Sequence, residues 1–489
     1  RNLIGFGTPQ ITTGGGAVTL NAQVIAPTSP PPTVVSQSLI SITAGTGAVT
    51  ATATAGGLRL ANVTSSGSIN LSAAAGNLTF TGLTSTGAEV LSAAGGSISG
   101  SSITAGGAVS LTGSNGIFVS SASTGGGALT GNTASGSISV SNVDTRLGGG
   151  PTGGAVSFVA PSSSVFAGTV QAGSGAISLS GRSVSTGTMT TTGNVGLTAT
   201  AGSISATVNE AASVTANASN PFGSSVSLSS TSATTALNAT SVSATATNPG
   251  SAATVQLYGL KGVNVGTVTA NAVVSNFYGP TPEYQSRNRT VTINGDQGSI
   301  LAMGSTSQVT ATNVTLRTSQ GYGGGIGSVA TPLRVDVERS FDFRPNGEFN
   351  VQLVGSGAPN NVDLTIGVAP TGANYVGTLT RAGAIALDVS ANDATVTVNN
   401  FNVTSGFNTP IYGQTPDISV YVPNGNLTVT SMAVPMGDQV GFASCIFYYC
   451  GVSILGMPVS VGASGSLAVA SFTRQSGGTY GKTTSFFSN

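Results

Sequence analysis

The 489-residue sequence lacks histidine and tryptophan, and it contains only two cysteines, 14 basic and 14 acidic side chains. Without histidine, the chain cannot form the serine or cysteine triads that depend on it. A formal net charge of zero provides no long-range steering of a charged partner. The only two lysines, Lys261 and Lys482, lie far apart, which argues against nucleic acid as a partner.

Apolar residues are not scarce, because 39% of the chain is hydrophobic. Disordered chains are polar and highly charged, so this composition favours a packed structure. A fixed period indicates one repeated structural unit. Glycine pairs recur every twenty residues: Gly47 and Gly56, Gly67 and Gly76, Gly87 and Gly96, Gly107 and Gly116, and Gly127 and Gly136.

Between the glycines, residues alternate with the period of two that is typical of β-strands. Two residues after each first glycine stand Val49, Ile69, Glu89, Val109 and Leu129. Eleven residues after it stands an apolar column of predicted structural core residues: Leu58, Leu78, Ile98, Phe118 and Ile138. Three short strands per repeat, with corner glycines that tolerate positive φ, predict an all-β parallel β-helix (β-solenoid) with coils of about 20 residues. The rule for parallel crossovers predicts a right-handed one.

Two positions in these columns carry specific expectations. Phe118 is expected to fill the core, so that Phe118→Ala opens a cavity and costs about 3–5 kcal/mol. A carboxylate at position 89 would be costly to bury. We therefore expect a local bulge that turns Glu89 outward and leaves Val90 or Leu91 in the core.

The outward positions predict a neutral wall of hydroxyl and methyl groups. This column contains Thr50, Asn70, Val90, Ser110 and Thr130. A helical solenoid is disfavoured, because these windows consist of Thr, Val, Ser and Gly, which are poor helix formers. If the period persists from residue 34 to the end, it makes about 22 coils.

Proline content and charge divide the chain into three predicted regions. Residues 34–250 form the regular solenoid, and only seven charged side chains lie in residues 1–250. Residues 251–489 carry the remaining charges and longer strand patterns, and are either a decorated solenoid or a second β domain. Residues 1–33 combine a strand-like segment with a proline-rich spacer that includes Pro30–Pro32. They are either a first coil with a proline corner or a mobile or exchanged arm.

The cysteines and the aromatic residues between them are candidate functional features. Cys445 and Cys450 are expected to form a local disulfide in an exported chain, in preference to two reduced core cysteines. Phe447, Tyr448 and Tyr449 between them are candidate surface-recognition residues. The uncharged run 440–461 is expected to be a buried strand pair and not a membrane helix. A first residue other than Met indicates a processed product.

Parallel β-helices also carry polysaccharide-degrading enzymes, which need clustered carboxylates with basic residues or calcium. Asp336 and Glu338 share a strand face with Arg334, and we interpret them as a solvated row of ion pairs. Asp296 is expected to stand alone in a turn. Calcium-loop and Cys/His metal patterns are missing, so we expect no metal and no cofactor.

The glycine-led coils and the segment Gly325-Ile-Gly-Ser-Val-Ala-Thr-Pro-Leu-Arg-Val-Asp336 resemble the filamentous-haemagglutinin-like exoproteins of Gram-negative bacteria. The resemblance covers residues 40–200 and 320–340. It implies export through a partner outer-membrane pore, a long β-helix and a role as a surface adhesin or fibre. The amino-terminal secretion domain of that family is not visible in this sequence.

Together these patterns predict a non-catalytic, secreted structural protein of the bacterial cell surface. The solenoid is expected to polymerise head to tail through residues 1–33, because open strand edges with few lysines favour pairing. The alternatives are a monomeric adhesin stalk that binds a glycan or a host surface, and a degenerate polysaccharide-active β-helix enzyme.

Overall fold

The computed structural model describes residues 10–22, 40–273, 289–319, 324–345 and 349–354, and beyond residue 354 it describes the backbone of the β-strands. The fold is an all-β parallel β-helix, as the sequence predicted. The chain divides into two compact units, Arg1–Ser219 and Asn220–Asn489. The predicted boundary near residue 250 is based on charge, which is absent from residues 220–250 and increases after them, and it stays a prediction.

Unit 1 contains twenty strands in its described part. They are β1 Gln10–Thr13, β2 Val18–Ala22, β3 Ile40–Ala44, β4 Val49–Ala53, β5 Leu58–Ser65, β6 Ile69–Ala73, β7 Leu78–Ser85, β8 Glu89–Ala93, β9 Ser97–Ala105, β10 Val109–Gly113, β11 Gly116–Thr124, β12 Leu129–Thr133, β13 Ile138–Asp144, β14 Val156–Ala160, β15 Val165–Gly173, β16 Ile177–Gly181, β17 Val184–Thr191, β18 Asn194–Ala199, β19 Ile204–Asn209 and β20 Ser213–Ser219. A 3-10 turn, Leu147–Gly149, lies in the connection between β13 and β14.

Each regular coil of unit 1 has one short and one long strand, and each pairs in parallel with its equivalent in the next coil. The long strand replaces the second and third strands of the predicted repeat. In β7, Leu78 and Phe80 face inward, and after a phase change Leu83 and Ser85 face inward. The long strand therefore bends and forms two sides of the coil.

The corner glycines are required mainly because successive corners stack closely. Of the ten repeat glycines, only Gly56 and Gly116 have a positive φ. The predicted need for a residue that tolerates positive φ therefore applies to these two. A Cβ on Gly47 or Gly136 would instead overlap the backbone of the coil before it. A side chain at these corners would push neighbouring coils apart.

Buried hydroxyl groups close several corners. Ser65 Oγ donates a hydrogen bond to the Gly47 carbonyl at 2.7 Å, and Thr145 Oγ1 donates one to the Gly154 carbonyl at 2.6 Å. A buried hydroxyl without a partner would be destabilising, so the bond explains how Ser and Thr occupy inward positions at strand ends.

The strands of unit 2 include longer ones than those of unit 1, up to the 12 residues of Leu333–Arg344. They are β21 Ser224–Ser230, β22 Leu237–Ala246, β23 Ala253–Gly259, β24 Val263–Ala272, β25 Arg289–Gly295, β26 Ile300–Ala302, β27 Gln308–Thr318, β28 Leu333–Arg344, β29 Phe349–Val354, β30 Val362–Ile366, β31 Tyr375–Ala382, β32 Leu387–Ala391, β33 Thr395–Thr404, β34 Ile418–Val422, β35 Asn426–Val429, β36 Met432–Val434, β37 Asp438–Phe442, β38 Met457–Ala463, β39 Leu467–Val469, β40 Phe472–Arg474 and β41 Thr484–Ser485.

The strands of unit 2 also stack in parallel, as in β21–β23–β25 and β22–β24. Phe341, Phe343 and Phe349 are fully buried. Phe341 stacks on Phe343 with ring centroids 5.0 Å apart, and Phe349 meets Phe343 edge-on at 5.2 Å. These aromatic residues fill the core and do not face a ligand.

Candidate functional surfaces

The predicted inward column is correct except at one position. Leu78, Ile98 and Ile138 are fully buried, and Leu58 is half-buried. Phe118 is 44% exposed, and Ile117 takes its place in the column, paired with Ile98 and Ile138. Assigning Phe118 to the core, and expecting a large cavity from Phe118→Ala, was therefore wrong.

Two compensating changes in corner length cause this shift. Two residues separate β10 from β11, where the preceding coil has three between β8 and β9. Four residues then separate β11 from β12, where the preceding coil has three between β9 and β10. The strand slides by one residue, which reverses its faces. The glycine triplet 125–127, with Gly126 at φ 91°, is the signal in the sequence.

Glu89 lies inside the solenoid. It pairs with Ile69 on one side and Val109 on the other, in strict register, and its exposed fraction is 0%. Val90 points outward and Leu91 inward, without a bulge at this position. The expectation that Glu89 turns outward was therefore wrong, because the stacked neighbours on both sides hold the strand in register.

The Glu89 carboxyl has an unusual environment. Neither of its oxygens has a hydrogen-bond partner in the described structure. Burial raises its pKa from 4.5 to about 7, and the nearby Ser85 hydroxyl lowers it in part. The bond that Ser85 Oγ makes, at 3.1 Å, is to the Gly87 carbonyl. Below about pH 7, Glu89 is therefore mainly protonated in the folded state.

The outer wall of unit 1 is neutral and rich in hydroxyl groups, as predicted. Thr50, Asn70, Val90, Ser110 and Thr130 are all partly or fully exposed. Along one side of the long strands, the pairing aligns Ser99, Phe118, Ser139, Phe166 and Ser185 in a single outward column. Two exposed aromatic side chains therefore stand on a surface of serines.

A polar cluster in unit 2 joins residues that the sequence analysis treated separately. Tyr258 donates its hydroxyl to Asp296 Oδ2 at 2.9 Å, and Ser319 donates to Oδ1 of the same carboxylate. Burial, and then the bond to Asp296, raise the pKa of Tyr258. Asp296 is thus not alone in its turn. Asp296 follows β25, Tyr258 lies in β23 and Ser319 follows β27. The carboxylate therefore links three successive coils.

The prediction of a solvent-exposed row of ion pairs at Arg334, Asp336 and Glu338 on β28 is wrong. Asp336 is only 8% exposed, and Arg334 Nε is buried without a hydrogen-bond partner in the described structure. The exposed ion pairs of this strand lie further along it. Asp342 binds Arg317 of the preceding coil at 3.0 Å and Arg344 at 3.1 Å. The side chain of Glu338 lies outside the described residues.

Residues 10–22 form a coil. β1 pairs with β3 and β2 pairs with β4, all in parallel. Within the described part of the chain, these are the only strand pairings that β1 and β2 make. The connection from β2 to β3 spans residues 23–39, far longer than the corners of the following coils, and includes the proline spacer.

Several predicted sites cannot be placed. Cys445, Cys450 and the aromatic segment Phe447–Tyr449 lie outside the described residues. A strand pair was predicted in the run 440–461, and the backbones of β37 and β38 do pair there.

Where the structure is described, three or more potential metal ligands do not come together. Its described segments also include no helix with the length and apolarity that a membrane span needs. The chain matches no protein-family model, no curated protein and no solved structure.

Proposed function

We propose that this protein is a non-catalytic, extracellular structural protein, a β-solenoid subunit of a fibre on a bacterial cell surface. The observation that carries the proposal is the stack of parallel coils with a neutral hydroxyl-rich wall. In such a stack each coil makes backbone contacts only with its neighbours, so further coils of the same kind lengthen it without new kinds of contact. The resemblance of the coils to filamentous-haemagglutinin-like exoproteins supports the same role and an outer-membrane export partner.

Assembly is proposed to occur through the first coil, which one subunit donates to the next. β1 and β2 supply backbone pairing to β3 and β4, and the long connection of residues 23–39 allows the same coil to come from another subunit. Exchange of an identical element needs no new interface chemistry. Because the contact is heterologous, it propagates into a filament unless it closes into a ring.

Electron microscopy of the purified full chain and of a variant without residues 1–33 tests this proposal. We expect filaments from the full chain and single particles from the truncated chain. A matched control mixes the truncated chain with a synthetic peptide of residues 1–33, which should occupy the vacated position and still form no filaments. Fibres of unchanged length and abundance from the truncated chain would refute the connector role.

A second candidate function is an adhesin stalk that binds a glycan or a host surface. Phe118 and Phe166 favour it, because they are aromatic side chains exposed between serines in one outward column. Exposed apolar groups that lie together, unlike singly scattered ones, mark binding sites.

A further inference from the structure

Phe118 and Phe166 form an ordered pair on one side of unit 1. Phe118 pairs with Ser139 of the next coil, and Ser139 pairs with Phe166 of the coil after it. The two aromatic residues are thus two coils apart in one column, about 10 Å at the usual strand spacing. They are 44% and 42% exposed.

Neither phenylalanine is needed to fill the core. Ile117 and Val119 face inward on the strand of Phe118, and Val165 and Ala167 do so on the strand of Phe166. Both aromatic side chains therefore stand on the outer wall above coils that are already packed.

The Phe118 ring lies along the strand. A Cβ on Gly116 would come within 2.7 Å of the ring carbon Cε2 of Phe118, so the ring rests over the bare backbone of that glycine. The exposed part of the ring is an apolar surface against which a ligand with an apolar face can pack.

The column positions next to the two rings are polar and uncharged. The residues before, between and after the rings are Ser99, Ser139 and Ser185. Charge lies further away: Arg59 occupies the same column beyond Thr79 and Ser99, and the exposed Arg182 precedes β17. The surface between the two rings is therefore complementary to a neutral ligand with many hydroxyl groups.

We propose that the column of Phe118, Ser139 and Phe166 binds a neutral β-1,4-linked polysaccharide chain lying along the solenoid axis. Alternate pyranose rings stack on the two phenylalanines, because the C–H face of such a sugar is apolar. The intervening sugar hydrogen-bonds Ser139. The two-residue repeat of an extended β-1,4-linked chain is closely similar in length to two solenoid coils. This site goes beyond the fibre role and does not depend on filament formation.

The test is binding of the full chain to insoluble cellulose and, by calorimetry, to soluble cellohexaose, with amylose as the α-linked control. We expect Phe118→Ala and Phe166→Ala each to weaken binding, and the double variant to lose about tenfold or more. The matched control is Val90→Ala with Val159→Ala, two exposed apolar residues on the short strands, and it should bind as the unchanged protein does.

A spacing variant adds a second measurement. Combining Phe118→Ser with Ser99→Phe keeps two aromatic residues in the column but places them three coils apart. It should bind no better than Phe118→Ala. All variants should keep the thermal unfolding temperature of the unchanged protein, because their side chains face outward.

Three results would overturn the proposal. The first is no retention of the unchanged protein on cellulose or cellohexaose. The second is glucan binding by the double variant or by the spacing variant that equals binding by the unchanged protein. The third is a double variant that alters sedimentation but not glucan binding, which would assign the pair to contact between copies. Fibre formation is scored separately by microscopy, so the two proposals fail independently.

Discussion

Glu89→Leu should stabilise the solenoid and remove a specific part of its pH dependence. Burial raises the pKa of Glu89 from 4.5 to about 7. One pKa unit corresponds to about 1.4 kcal/mol, so this shift corresponds to about 3 kcal/mol of folding free energy. Leucine suits the site, since Ile69 and Val109 occupy the same column in the adjoining coils.

The sign follows from the two protonation states. Below pH 4.5 the carboxyl is protonated in both the folded and the unfolded chain, so it contributes no pH dependence. Between pH 4.5 and about 7 the unfolded chain ionises while the folded chain keeps its proton, and stability falls. Above about pH 7 the loss is complete. The unchanged protein should therefore lose about 3 kcal/mol across this window relative to Glu89→Leu.

Urea unfolding followed by far-ultraviolet circular dichroism at pH 4, 5.5, 7 and 8.5 measures this difference. Hydrogen exchange of amides in β6, β8 and β10, compared between the two proteins at each pH, tests whether the effect is local. Glu210→Gln is the matched control, because Glu210 is an exposed glutamate of the same unit. A difference between Glu89→Leu and the unchanged protein that stays constant from pH 4 to pH 8.5 would refute the reasoning.

The corrected core and the corners give further predictions. Ile117→Ala should cost about 2–5 kcal/mol by opening a cavity, whereas Phe118→Ala should change urea stability little; the reverse order would restore Phe118 to the core. Gly136→Ala should lower the unfolding temperature strongly, because a Cβ there overlaps the Asn115 backbone, while Gly196→Ala has open space and should have little effect. Equal melting temperatures for these two glycine variants would contradict the close stacking of corners.

The coil period could be predicted from the sequence because local chemistry repeats with it. Alternating residues and corner glycines identify the inward column correctly at Leu78, Ile98 and Ile138. The error at Phe118 arose because a shorter corner before it and a longer corner after it cancel. Counting in steps of 20 residues does not detect two corner-length changes that cancel, although the glycine triplet marks the longer corner.

Two other features could not be predicted from local patterns. The expectation for Glu89 considered the cost of burying a charge, but a raised pKa lets the residue enter the core as a neutral acid. The cluster around Asp296 joins Tyr258 and Ser319, which are 38 and 23 residues away in sequence. Their proximity depends on the pairing between coils, and coils of unequal length separate the paired positions Tyr258, Asn294 and Arg317.

X-ray diffraction from aligned fibres of the full chain tests the central claim most directly. If the coils stack along the fibre axis, the pattern has a meridional reflection at about 4.8 Å, the spacing of paired strands. Loss of both the fibres and this reflection after deletion of residues 1–33 is the predicted companion result. A full chain that forms no fibres, or fibres whose 4.8 Å reflection lies on the equator, would contradict a solenoid that assembles end to end.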